Sequence, residues 1–155
     1  MITEEQGKKV AAAALGWLGT PHINAARVRG KGVDCAKLCM AAVEDAGLMP
    51  VDTIRMEGYG NEWHLHQSGE KMLEVFQKYC TKVDTLQPGD FMLYQYGRCV
   101  SHAGVYIGDG VICHSLVNQG VILSNIDDVM FLDAKGRSRL RGIYRYNGGE
   151  PDGSV

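Results

Sequence analysis

Apolar residues recur at two different periods along this chain, and the change of period divides it in two. Over residues 4–18, Val10, Ala14, Leu15 and Leu18 fall near one face of a helix. Gly19-Thr20-Pro21 ends that pattern, because glycine and proline together break helices. Residues 22–33 read as a loop. A second helix is expected over 35–46, with Asp34 as its N-cap and Gly47 as its terminator. Residues 48–68 carry no clear period. A third helix is expected over 69–80, with Met72, Val75, Phe76 and Tyr79 on one side. Beyond the LQPGD turn at 86–90 the pattern becomes β-like, with strands expected at 91–96, 100–107, 111–116, 120–125 and 141–146. Helices followed by a run of strands predict an α+β fold with an antiparallel sheet. The chain reads as one domain over 1–147 with a flexible tail at 148–155.

Composition narrows the function classes. The 155 residues are 45% apolar and 22% charged, as in ordinary globular proteins. A formal net charge of -2 argues against nucleic acid as the main partner. No apolar run reaches membrane-spanning length. The acidic opening MITEEQGKK lacks the basic start and continuous apolar stretch of a secretory signal. The expectation is synthesis and retention in the cytoplasm, unless a larger assembly carries the protein elsewhere. Five cysteines are an odd number, and without export free thiols are expected rather than a disulfide framework.

Cys35 and Cys39 lie one helical turn apart. With Asp34 capping, Cys35 takes the first helical position, where free N–H groups and the helix dipole favour a thiolate. The same N–H groups could stabilise an oxyanion. Cys39 lies deeper and is expected to be an inert core thiol. The plainer alternative is that both are buried small residues. A nucleophilic thiol needs a base, and the base an orienting partner. The stretch SHAGVYIGDGVICHS offers two histidines on one expected hairpin. A two-residue Asp109-Gly110 turn would place His102 and His114 on opposite faces. A three-residue Gly108-Asp109-Gly110 loop pairs Ile107 with Val111, and His114 then lies opposite Gly104, on the His102 face. That register lets His102 take the Cys35 proton while His114 accepts a hydrogen bond from the other His102 nitrogen. Two unrelated buried histidines remain the alternative.

Other candidates are weaker. Cys99 and His102 have a C-x-x-H spacing, but Cys113 and His114 are strand neighbours that point to opposite faces, so a zinc site is disfavoured. His64 and His66 lack a third ligand nearby and read as loop or packing residues. Arg27, Arg29 and Lys31 read as a solvated loop, with substrate contact as the alternative. No cofactor motif is present, and no cofactor is expected.

Four stretches carry a resemblance in order along the chain: LGTPH at 18–22, GVDCAKL at 32–38, LQPGDFMLY at 86–94 and HAGVYIGDGVICHS at 102–115. They resemble the NlpC-type cell-wall cysteine peptidases, a compact papain-like family. The resemblance implies Cys35 as nucleophile, His102 as base and His114 as third catalytic residue. It implies cleavage of peptidoglycan stem peptides, typically between D-glutamate and a diamino acid. Asp34 is similar to a position near the substrate's free amine, a role compatible with capping. His22 replaces a common Tyr, and Ala36-Lys37 replaces the usual Ser-Gly. Asp34, His22, Ala36 and Ser101 are therefore the substrate-binding candidates. The basic loop and EWHLHQSGE most resemble the branch found in bacteriophage tail modules. Phage tail proteins then become possible partners, and delivery by a virion would account for the missing signal. Two alternatives stand: the same fold as an inactive tail component, or an intracellular enzyme of wall-peptide recycling or other amide hydrolysis.

Overall fold

A computed structural model describes residues 1–50 and 69–148 of the chain. The elements run α1 (Glu4–Leu15), β1 (Arg27–Val28), β2 (Gly32–Val33), α2 (Cys35–Asp45) and α3 (Gly69–Tyr79), then β3 (Cys80–Val83), β4 (Phe91–Tyr96), β5 (Cys99–Gly108), β6 (Val111–Leu116), β7 (Gly120–Asn125), a 3₁₀ turn (Val129–Phe131) and β8 (Leu140–Tyr146). β1 and β2 form a small ribbon, and the other six strands form one antiparallel sheet in the order β3-β8-β4-β5-β6-β7. The α+β expectation holds. No helix among the described residues is long and apolar enough to cross a membrane.

Two faces of the sheet carry two cores. All three helices pack on β5. Phe91, Leu93, Ala103, Val105 and Cys113 join the helix residues in the larger core. Strand alternation sends Met92, Tyr94 and Ile112 the other way, into a smaller cluster closed by Phe131. α2 is buried on nearly every side, from Cys35 and Ala36 through Leu38–Glu44. A helix that apolar is an interior element. The α1 helix meets the 86–90 turn at backbone contact: a Cβ on Gly7 would collide with the Pro88 carbonyl oxygen, and one on Gly89 (φ +93°) with the Gly7 carbonyl oxygen.

Several boundaries differ from expectation. α1 ends at Leu15, because successive i→i+3 bonds (Trp17 N–H to Ala14 O, Leu18 N–H to Leu15 O) tighten the chain. That tightening tucks Trp17 against α2, where its indole N–H donates to Asp45 Oδ2 at 2.8 Å, while Leu15 and Leu18 are exposed. Cys80 does not extend α3 but opens β3, a short strand whose CTKV sequence alternates too briefly to declare itself. The 22–33 loop contains the β1–β2 ribbon. Arg27, expected to be solvated, is largely buried and pairs with the buried Glu44 at 2.6 Å. Arg29 pairs with Asp45 at 2.6 Å and lies over the Trp17 ring. Both arginines fasten the loop to α2. His64, His66 and residues 149–155 of the expected tail lie outside the described residues.

Candidate active site

The site is built around the start of α2. Asp34 caps the helix through Oδ1, which accepts from Lys37 N–H at 2.8 Å. Its Oδ2 accepts from Ala25 N–H at 2.7 Å, holding Ala25 in a left-handed conformation (φ +63°). One buried carboxylate therefore fixes both the helix start and the loop before it. Cys35 opens the helix, with Ala36 N–H beside its sulfur, and its thiol makes a long 3.9 Å contact to the Ser101 carbonyl. That carbonyl is in reach because β5 bulges. Tyr94 faces His102 but Gln95 faces Val100, which leaves Ser101 between the paired positions.

The β5–β6 hairpin brings the histidines together by a different turn from the one expected. Gly108, not Ile107, pairs with Val111, so the turn is the two-residue Asp109-Gly110 (φ +53° and +76°). Ile107 is bulged out, which restores the register to Tyr106↔Ile112 and Val105↔Cys113. The bulge supplies the extra residue that the longer loop was expected to supply. His102 and His114 thus share a face, and His102 Nε2 lies 2.8 Å from His114 Nδ1. Gly104 makes room for His114, since a Cβ there would lie 3.0 Å from His114 Cβ and closer still to Ile112.

The same register extends one strand further, to β7. On β7, Ile122 faces His114 and Ser124 faces Ile112, so Ser124 stands diagonal to His114. His114 Nε2 is 2.8 Å from Ser124 Oγ. Ser124 was not among the candidates, and the β6–β7 hairpin pattern was the signal that could have found it. Phe131 packs on His114 at 5.5 Å and stacks on Tyr94 at 4.4 Å. Tyr94 and Tyr96 flank His102 at 6.1 Å each.

A cleft of about 450 Å³ opens over this set. Asp34, Cys35, His22, Ser101 and His102 line it, together with Val117, Gln119 and Met130. Ala36 is fully buried, and its side chain lies outside that lining. Only its backbone N–H serves the site. Ser115 fixes His22. The Ser115 hydroxyl donates to Val33 O at 2.8 Å, so its oxygen must accept from His22 Nδ1–H, also at 2.8 Å. Neutral His22 then carries its proton on Nδ1, which leaves Nε2 unprotonated on a residue that lines the cleft.

Burial dominates the electrostatics. It pushes the Cys35 thiol up to about 12, and the charge of Asp34 adds to the effect against the pull of backbone N–H groups. Burial lowers His102 to about 3, helped by His114 and His22. His114 falls to about 4, again by burial, with Asp128 acting the other way. Burial also lowers His22, against the pull of Asp34. At this position desolvation therefore opposes the helix dipole that favours a thiolate. The His114 bond occupies His102 Nε2 and leaves Nδ1 as the other ring nitrogen of a residue that lines the same cleft as Cys35. Cys39 is fully buried and its thiol is raised well above the ordinary range. Cys113 points to the Ala14 carbonyl at 3.6 Å, away from His114. Among the described residues no group of three His, Cys, Asp or Glu is placed to hold a metal ion.

This arrangement has relatives. The NlpC/P60 family profile matches residues 19–139. A "probable endopeptidase" of Mycobacterium tuberculosis is 30% identical over 106 residues, 68% of this chain and 22% of that protein. The tail tip assembly protein K of Escherichia phage lambda is 30% identical over 104 residues, 64% of this chain and 49% of that one. The chain therefore spans half or less of these relatives' lengths. The structure of NlpC2 from Trichomonas vaginalis superposes with a TM-score of 0.64 at 17% identity, covering 91% of this chain and 47% of that one. With a matching profile over most of its length and the same fold in a solved member, this chain belongs to the NlpC/P60 family.

Proposed function

We propose that the chain is a cysteine peptidase that hydrolyses peptide bonds in bacterial cell-wall stem peptides, between D-glutamate and a diamino acid. One observation carries the reading: the 2.8 Å His102–His114 bond, beside a cysteine at a helix start in the same cleft. His114 engages Nε2 of His102, so Nδ1 is free to take the Cys35 proton. The sulfur then attacks the amide carbonyl, and the carbonyl electron pair moves to oxygen. Backbone N–H groups at the start of α2 are suited to that oxyanion. The imidazolium gives its proton to the leaving amine as the C–N bond breaks, leaving a thioester. Water, deprotonated by the same His102, hydrolyses the thioester and frees Cys35. Asp34 and His22 line the substrate side, as a carboxylate for an amine and an acceptor for an N–H donor. The likeness to a phage tail tip assembly protein supports a tail-borne setting and tail proteins as partners.

The test is digestion of purified peptidoglycan and free stem peptides, with products read by mass spectrometry. Wild type should release a new N-terminal amine at one bond, and Cys35→Ala should release none. A second reading, a non-catalytic tail component of the same fold, is favoured by the depth of Cys35 burial. It predicts intact stem peptides with both proteins and no difference in Cys35 alkylation when His102 is replaced.

A further inference from the structure

The hydrogen-bonded line from His102 does not end at His114, and its last member has a defined task. Resting neutral, the line has two proton arrangements. In one, His102 Nε2–H donates to His114 Nδ1 and His114 Nε2–H donates to Ser124 Oγ. In the other, every proton sits on the opposite side of its bond, and His102 Nδ1 is protonated and useless as a base. A serine hydroxyl serves either, because it donates and accepts. The balance changes once His102 takes a proton from the thiol. Both its nitrogens then carry hydrogen, so His114 Nδ1 must accept. His114, still neutral, must then be protonated at Nε2, and Ser124 Oγ, 2.8 Å away, is the acceptor that remains.

We infer that Ser124 is a positioning residue for the Cys35–His102–His114 line, required as a hydrogen-bond acceptor only when the imidazolium forms. The inference rests on the reading of His102 as base. A neutral histidine stabilises an imidazolium less than a carboxylate does, and Ser124 extends the stabilisation one bond further. Asp128, which caps the 3₁₀ turn by accepting from Met130 N–H at 2.9 Å, adds its charge in favour of a protonated His114. The other titratable groups acting on the pair are His22 and the two histidines themselves. Ser124 can accept or donate while the line rests but must accept once the imidazolium forms, so its loss should act on kcat and leave KM alone.

The experiment compares Ser124→Ala with Ser124→Thr, which keeps the hydroxyl on a β-branched strand residue. Iodoacetamide labelling, mapped to Cys35 by peptide mass, reads imidazolium–thiolate formation without any substrate. Ser124→Ala should slow Cys35 labelling at pH 7, and lower kcat on stem peptides, by about tenfold, as removal of an outer hydrogen-bond partner does elsewhere. Ser124→Thr should restore both, with KM unchanged throughout. Unchanged labelling in Ser124→Ala, or equal losses in both variants, overturns the inference. If wild type cleaves no stem peptide, the functional reading fails, while the labelling comparison still decides the role of Ser124.

Discussion

The sheet and the loop ahead of the nucleophile hold their functional side chains by different means. On β5, β6 and β7, His102, His114 and Ser124 stand on successive diagonals, and backbone register brings each neighbouring pair to 2.8 Å. Across the cleft, residues 22–34 have little ladder to rely on. Arg27 reaches Glu44, Arg29 reaches Asp45, Asp34 holds Ala25 N–H, and Ser115 holds His22. Ladder geometry repeats and is hard to vary, whereas side-chain clamps can be exchanged one at a time. The residues at which the chain differs from the pattern it resembles, His22 and Ala36-Lys37, lie within or just after this clamped segment. The two histidines stand in the ladder, whereas Cys35 opens the helix that the clamped segment leads into.

Variants on the two sides should separate accordingly. The largest effect is expected at the base: His102→Ala should lower kcat by about a thousandfold with little change in KM, the scale of a lost general base. Arg27→Leu, on the clamped side, takes a guanidinium from a buried carboxylate. It should cost about 3 kcal/mol in urea unfolding and raise KM more than it lowers kcat. Gly104→Ala strikes the ladder sterically. It should cost about 2 kcal/mol by the same measurement, and it should also lower kcat, because the new methyl crowds His114.

Acid sensitivity should trace to the ladder too. Both relay histidines titrate lower folded than unfolded, so the unfolded chain binds more protons as pH falls. Their contribution to stability is complete above about pH 6.5 and fades toward pH 4 and 3. Thermal midpoints measured from pH 7 to pH 4 should drop less in His114→Gln than in wild type. The smallest effect is expected at Cys39→Ala. It should cost about 1 kcal/mol of packing and leave kcat untouched, which marks Cys39 as a core thiol one turn from the active one.

The same contrast explains what could be read from the sequence. Repeating patterns gave the helices, the main strands and the face shared by His102 and His114. The turn between them was misjudged, because a two-residue turn with a bulge at Ile107 and a three-residue loop give the same downstream register. Ser124 lay one hairpin beyond the point where the register was followed. Clamps such as Arg27–Glu44 were hidden, since a charge in a glycine-rich loop looks solvated until its partner 17 residues away is placed against it. The charge state of Cys35 was also out of reach. Helix position favours a thiolate, but the depth of burial that opposes it depends on the whole fold.

The central claim is that Cys35, deprotonated by His102, forms a covalent bond to the substrate carbonyl. Rapid acid quench of the protein with stem peptide, followed by intact-mass and peptide mapping, tests it directly. The account predicts a thioester adduct on Cys35 in wild type, absent in Cys35→Ala and much slower to form in His102→Ala. Stem-peptide cleavage by Cys35→Ala at the wild-type rate would contradict it.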